Sequence, residues 1–172
     1  MLNRISVVEG DITKQQVDAI INAANTELCG GGGVDGAIHR AAGPALADTC
    51  RTIGGCPTGQ AVTTDGYDLA ARWVIHTAGP VWRGGSNDED FLLASCYRNS
   101  LALAEDHTME TIAFPAINTG VYGFPAPRAA RIAVTETVDF LHGNALPGSV
   151  TFVCFDRQSF DCHKAAVADI IA

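Results

Sequence analysis

Two glycine-rich stretches, about 90 residues apart, hold the residues in this chain that could do chemistry. The first runs from Asn22 through Asn25 to four consecutive glycines, Gly30 to Gly33, with Val34 and Asp35 directly behind them. The second is Asn118-Thr119-Gly120-Val121-Tyr122-Gly123-Phe124. Glycine backbone entering a helix lets several amide N–H groups converge on an anion, with no Cβ atoms in the way and the helix dipole assisting. Val34, Ala37, Ile38 and Ala41 recur at helical spacing behind the first glycines, so that loop opens a helix. The ligand this arrangement suits is a phosphate or pyrophosphate.

Asp35 makes the first loop unusual. A carboxylate repels a phosphate, so its side chain must be turned towards something else. A P-loop carries Lys-Ser or Lys-Thr after its last glycine, and here Val34-Asp35 follows. The letters Gly31 to Gly36 spell GxGxxG, but that motif belongs in a tight turn directly after a strand, with an acid closing a second strand about 20 residues on. Asn22 to Cys29 are expected to separate the strand Val17–Ile21 from the glycines, and the stretch after the helix, Pro44 to Cys50, reads as helical. The dinucleotide-binding reading fails on context.

The elements that must position these loops follow in order. Residues 2–8 read as a strand, followed by a turn at Gly10-Asp11-Ile12-Thr13, where Asp11 can cap the turn or accept from a ligand amino group. Val17–Ile21 reads as a strand buried on both faces. Pro44–Arg51 reads as a helix with proline at its start, Gln60–Thr64 and Arg72–Ala78 as strands, and Phe91–Glu105 as a helix. Thr111–Ala116 reads as a strand that ends in the second glycine loop, and Pro125 to Pro127 start a helix that buries Ile132, Val134, Val138 and Leu141. A last strand, Val150–Phe155, and a last helix, Ser159–Ile171, complete the chain. Arg83–Asp90 is polar and is expected to be the most mobile stretch. His76 lies in an apolar run and reads as a hydrogen-bonded core histidine rather than a catalytic one. Strands alternating with helices predict one α/β domain over residues 1–172, a three-layer α/β/α architecture with a mixed, largely parallel central sheet. Ligands of such sheets sit beyond the carboxyl ends of the strands, where both glycine loops fall.

Composition narrows the class. In 172 residues, 47% are apolar and 17% charged, enough for a substantial core. No apolar stretch is long enough for a membrane span, and the N-terminus has no signal-peptide pattern, so a cytoplasmic location is expected. A net charge of −8 argues against tight nucleic-acid binding, which depends on neutralising phosphates. Cys29, Cys50, Cys56, Cys96, Cys154 and Cys162 form no Cys-x-x-Cys pair and read as reduced, mostly buried thiols. Cys162-His163 has no second pair near in sequence, so no metal site is expected.

With these residues in view, the chain closely resembles the macrodomain family, in its MacroD-type branch. The resemblance is carried by Gly10-Asp11-Ile12, by Val17 to Ile20, by Asn22 to Asn25 and by Gly30 to Gly43. It continues through Thr58-Gly59, Val74 to Pro80, Leu93 to Tyr97 and Phe114 to Gly123, nearly the whole chain. It implies an ADP-ribose pocket, hydrolysis of mono-ADP-ribose from acidic side chains of modified proteins, and deacetylation of O-acetyl-ADP-ribose. No cofactor or metal is implied, and the expected state is a monomer that binds neither nucleic acid nor membrane.

The resemblance also implies roles. Asp11 accepts from the adenine amino group, the Ile12 amide faces the base, and Phe155 packs against it. Gly31, Gly32, Gly33 and Val34 form the first phosphate loop, with Asn22 among the ligand-binding residues. Asn118, Thr119, Gly120, Val121 and Tyr122 form the second, Tyr122 shaping the distal-ribose pocket; many relatives carry serine at the Asn118 position. Asn25 and Asp35 are the catalytic residues, the first holding ribose hydroxyls and the second orienting or deprotonating a water. A carboxylate is a weak base at pH 7, so the substrate's own phosphate is a second route for the proton. His39, one turn after Asp35, shares its helix face and is expected to fix the loop. The runner-up reading is an ADP-ribose reader without catalysis; a zinc-dependent relative or a nicotinamide oxidoreductase finds no support in the residues.

Overall fold

The computed structural model describes residues 2–171; Met1 and Ala172, the outermost residues of the expected domain, lie outside that range. In chain order the elements are β1 (Ile5–Glu9), β2 (Ala19–Ala24), α1 (Gly33–Ala42), α2 (Pro44–Ile53), β3 (Ala61–Asp65), β4 (Trp73–Ala78), α3 (Glu89–Asp106), β5 (Thr111–Phe114), α4 (Ala126–Gly143), β6 (Ser149–Cys154) and α5 (Arg157–Ile171). The sheet order is β1-β6-β5-β2-β4-β3. Every pair is parallel except β3 with β4. The mixed, largely parallel α/β/α fold is therefore present.

Alternation along the strands explains the layers. On β2, Ala19 and Ile21 face one core and Ile20 and Ala24 the other, since successive side chains point to opposite faces. The first core is covered by α3, α4 and α5 through residues such as Leu93, Tyr97, Val134 and Ala166. The second is covered by α1 and α2 through Ile38, Ala42, Leu46 and Cys50. A parallel sheet buried on both faces needs such near-continuous apolar strands.

Three expectations shift. The first strand begins only at Ile5, because Leu2–Arg4 forms a 3-10 turn that aims the Arg4 guanidinium at the carbonyls of Leu141 in the last turn of α4 and of Asn144, Ala145 and Pro147 beyond it. The strand expected at Val17–Ile21 runs instead from Ala19 to Ala24. Asp18 is drawn out of it, its carboxylate accepting from the amides of Glu110 and Thr111 at 2.7 and 3.1 Å. At the other end, pairing with His76, Thr77 and Ala78 of β4 extends β2 past Ile21, so Asn22 lies inside the strand, and only residues 25–29 separate β2 from the first glycine. The polar stretch Arg83–Asp90 is organised around buried Glu89, whose carboxylate accepts from the amides of Arg83, Gly85 and Asn87 at 2.7, 2.9 and 2.6 Å. Burial raises the pKa of this carboxyl, but the amide donors outweigh it and hold the group at about 2.

Candidate functional site

Strand order decides what the site contains. The parallel strands β1, β6, β5 and β2 lie side by side, so their carboxyl ends share one edge of the sheet. Asp11 follows β1, Phe155 follows β6, the second glycine loop follows β5, and Asn25 with the first glycines follows β2. Three strand spacings put the outermost of these roughly 14 Å apart. The helix after β2 packs on one face and the helix after β5 on the other. That divergence opens a crevice between the two glycine loops, the switch point at which such sheets take ligands.

At the β1–β6 end, the Gly10 amide donates to the Cys154 carbonyl at 2.9 Å, which holds Asp11 beside Phe155. Phe155 is 87% exposed, so its ring is a platform and not part of the core. Asp11 does cap a turn: its Oδ1 accepts from the Thr13 amide at 2.9 Å and the Thr13 hydroxyl at 2.7 Å. The Thr13 hydroxyl, its amide and then Lys14 hold this carboxyl below its ordinary value against a small opposing effect of burial. It is an acceptor at neutral pH, and Oδ2 takes no part in the cap. The Ile12 side chain is buried, so only its backbone can meet a ligand.

The first loop reaches α1 through Gly30 and Gly33, both at positive φ, which suits glycine. No side chain caps the helix at Gly32, so the first-turn amides of α1 are not taken up by a capping group. Gly36 matters for a different reason. A Cβ there would strike the Gly31 carbonyl, so glycine is what lets the loop lie back on α1.

Asp35 is turned away from the glycine amides, as the sequence requires. Its Oδ1 accepts from Asn22 Nδ2 at 2.9 Å, and His39 Nε2 lies 3.4 Å from the same oxygen. Oδ2 faces Gly31: a Cβ on that glycine would lie 3.4 Å from Asp35 Oδ2 and 3.8 Å from Asn25 Nδ2. The two expected catalytic side chains thus flank one glycine. Asn25 also ties its own loop, donating to the Gly30 carbonyl at 2.9 Å and accepting from the Cys29 amide at 3.2 Å.

One expectation needs correction. Asn22, grouped with the ligand-binding residues, is fully buried; its place inside β2 puts the side chain beneath Asp35 rather than in the crevice. Its second amide hydrogen points to His76 Nδ1, 3.1 Å away. His76 is a hydrogen-bonded core histidine, and Thr64 Oγ1 lies 2.9 Å from its Nε2. Burial, and then neighbouring His39, push its pKa down to about 4, so the ring is neutral at pH 7. Nothing in the sequence marks Thr64 or links His76 to Asp35.

In the second loop, Asn118 adopts φ +69°, a left-handed conformation that asparagine tolerates better than most residues. Its side chain is buried and donates to the Pro80 carbonyl at 2.7 Å, and its own carbonyl accepts from Phe124. Asn118 therefore shapes the loop, and its side chain is committed away from the crevice, so that of this residue only the backbone can meet a ligand. Thr119 and Tyr122 are half-buried, and Gly120 and Val121 are exposed at the tip. Trp82 supports this loop from outside the expected set, its amide donating to the Tyr122 carbonyl at 2.9 Å and its ring lying 4.7 Å from that of Phe124.

The thiols stand apart from this chemistry. Cys50, Cys56, Cys96 and Cys154 are buried, Cys29 is exposed and Cys162 lies between. Burial pushes Cys96 up to about 11 and Cys154 up to about 12. Among the described residues, no three His, Cys, Asp or Glu side chains are grouped to hold a metal ion, and no helix is long and apolar enough to cross a membrane.

Fold and site together define a class: an α/β domain whose two glycine loops follow neighbouring strands at the carboxyl edge of the sheet, with a restrained carboxylate beside the first. The Macro domain family model matches residues 21–133, and the chain belongs to the macrodomain family. It is 58% identical over 170 residues to a Macro domain-containing protein of Methanosarcina mazei, covering 99% of this chain and 91% of that protein. It is 56% identical over 163 residues to the O-acetyl-ADP-ribose deacetylase of Escherichia coli, covering 92% of each. The Oceanobacillus iheyensis macrodomain solved with ADP superposes with a TM-score of 0.92 at 42% identity, over 96% of this chain and 90% of that one. The Trypanosoma brucei macrodomain in complex with ADP-ribose gives 0.90 at 44% identity, over 96% of this chain and 70% of that one.

Proposed function

We propose that this chain hydrolyses esters of ADP-ribose: it deacetylates O-acetyl-ADP-ribose and removes mono-ADP-ribose from acidic side chains of modified proteins. The observation that carries the reading is Asp35, with Oδ1 tied down and Oδ2 facing Gly31 beside Asn25. A module that only binds has no need of a restrained carboxylate next to its phosphate loop.

In this reading adenine packs on Phe155, with Asp11 and the Ile12 amide facing its edge; stacking of this kind contributes ~1–3 kcal/mol. Residues 31–34 and 118–122 enclose the diphosphate, which carries the distal ribose towards Asn25 and Tyr122. Asp35 Oδ2 orients a water against the ester. In deacetylation the water oxygen attacks the acyl carbon, its proton passes to Asp35 or to the substrate's phosphate, and the acyl C–O bond breaks. The ribose hydroxyl takes a proton as it leaves, and acetate is released. Attack at either carbon flanking the ester oxygen of a glutamate or aspartate conjugate gives the same products, free carboxylate and ADP-ribose. The chemistry uses this chain's own groups, as a monomer and without a metal, so activity should survive a chelator.

The test measures acetate release from O-acetyl-ADP-ribose and ADP-ribose release from a protein modified on glutamate or aspartate, alongside binding of free ADP-ribose. Release that falls in Asn25→Ala and Asp35→Ala while binding persists supports the hydrolase. Tight binding with no release by the unaltered protein makes the chain a reader.

A further inference from the structure

A line of buried polar side chains runs from Asp35 through the sheet to its edge strand. Asn22 on β2 and His76 on β4 are register partners, and both are fully buried. They share their face with Ile20, Val74 and Ala78, where a valine or isoleucine pair would pack without any polar group to satisfy. The carboxylate end sets the order of the bonds. Asp35 Oδ1 accepts, so Asn22 turns its NH2 towards it, and the same nitrogen lies 3.1 Å from His76 Nδ1. Nδ1 is therefore the ring's acceptor and Nε2 carries the ring proton. Nε2 donates to Thr64 Oγ1, which leaves the Thr64 hydrogen for the Asp65 carbonyl at 3.1 Å. Both hydrogens of the Asn22 amide are thus used, while its Oδ1 has no partner among the described residues. The flipped amide would press that oxygen against the carboxylate.

We infer that His76, backed by Thr64, is a positioning residue: acting through Asn22, it decides which oxygen of Asp35 is tied down and which faces the crevice. The inference rests on the hydrolytic reading of Asp35 given above. His39 does not do the same work: it lies 3.4 Å from Oδ1, against 2.9 Å for Asn22 Nδ2, and so holds that oxygen less closely. The groups around the His76 ring are consistent with an uncharged spacer. They are His39, with ring centroids 6.5 Å apart, Thr64 and Asn22, while Cys56 Sγ lies 4.0 Å from the His76 carbonyl. A protonated ring would have no lone pair to offer and would break the order of donors.

The experiment compares His76→Leu, His76→Asn and Thr64→Val with the unaltered protein. The readouts are kcat and KM for O-acetyl-ADP-ribose, Kd for ADP-ribose, and a crystal structure of His76→Leu. Asparagine keeps an acceptor close to where Nδ1 lies; leucine removes it. Misplacing a reacting group by an ångström or less costs on the order of 10- to 100-fold. His76→Leu should therefore lower kcat by about 10-fold or more while Kd stays within about twofold, and His76→Asn should recover most of the loss. Thr64→Val, which keeps shape and removes the hydroxyl, should lower kcat by a few fold; if His76→Leu does not fold, this variant carries the test. Unchanged kcat in a folded variant overturns the inference, and so does a loss shared equally by kcat and affinity. If the unaltered protein turns nothing over, the hydrolytic reading has failed instead. The crystal structure then decides the geometry: Asp35 still bound to Asn22 in His76→Leu overturns the inference, and Asp35 turned away upholds it.

Discussion

The two glycine loops face one crevice but differ in what holds them from behind. Behind the first lies a chain of buried polar side chains, Asp35, Asn22, His76 and Thr64, each oriented by the next. Behind the second, one buried bond from Asn118 to the Pro80 carbonyl is joined by an aromatic stack in which Trp82 packs on Phe124, with the Arg128 guanidinium 5.0 Å over the indole and paired with Asp90. Buried polar bonds are directional and orient single atoms. Apolar packing fixes shape but leaves a backbone loop free to present its amides. The contrast suits a division in which the first loop holds the reacting group and the second holds the ligand.

The largest effect should come from Asp35→Ala. Turnover of O-acetyl-ADP-ribose should fall by about 10²–10⁴-fold, with ADP-ribose affinity changed far less. An equal loss in both, measured by kinetics and calorimetry, would erase the division between the loops.

A second effect follows from titration beneath the first loop. The folded-state pKa of His76, about 4, lies below the ordinary histidine value, so at intermediate pH the unfolded chain binds the extra proton. Stability should fall as pH drops from about 6.5 towards 4, by up to ~3 kcal/mol, and this contribution should not vary above pH 7. Buried His163 is shifted in the same direction by desolvation, against its bond to the Ser159 carbonyl, and adds to the slope. Urea unfolding at pH 7.5, 5.5 and 4.5 should show the decline, with a shallower slope in His76→Leu.

Trp82→Ala should reveal the apolar support of the second loop. Removing a half-buried indole should destabilise the protein by about 2 kcal/mol and weaken ADP-ribose binding, with kcat at saturating substrate nearly kept. Asn118→Ser should have the smallest effect, about 1 kcal/mol in urea unfolding. It loses the bond to Pro80 and places a less tolerant residue at positive φ. If the serine variant proved more stable, the left-handed asparagine would not be what shapes this loop.

Much of this was legible along the chain because it depends on local pattern. Glycines 30–33 before an amphipathic run marked a loop opening a helix, and an acid directly behind them had to turn away from any bound phosphate. Phe155 at the end of its strand is expected to pack against a base, and only its 87% exposure separates it from the core. Asn22 was misjudged because strand limits depend on partners: Asp18 is pulled out by the amides of Glu110 and Thr111, 92 and 93 residues away. At the other end, pairing with His76, Thr77 and Ala78 on β4 carries the strand on through Asn22, Ala23 and Ala24, which puts Asn22 in the sheet. Glu89 was equally hidden, since a polar, glycine-containing stretch reads as loose until one carboxylate is seen collecting three of its amides.

Local pattern along the chain dictates the α/β alternation, the two glycine loops and the need for Asp35 to find another partner. These follow from hydrophobic period, glycine conformational freedom and like-charge repulsion, which act over a few residues. The tertiary structure alone decided that β1, β6, β5 and β2 would stand in that order, and so that Asp11 lies by Phe155 and one glycine loop by the other. It also decided that Asn22 and His76 would meet across adjacent strands. Strand order and register are set by which faces pack and which edges pair over the whole chain, and no window of sequence contains that information.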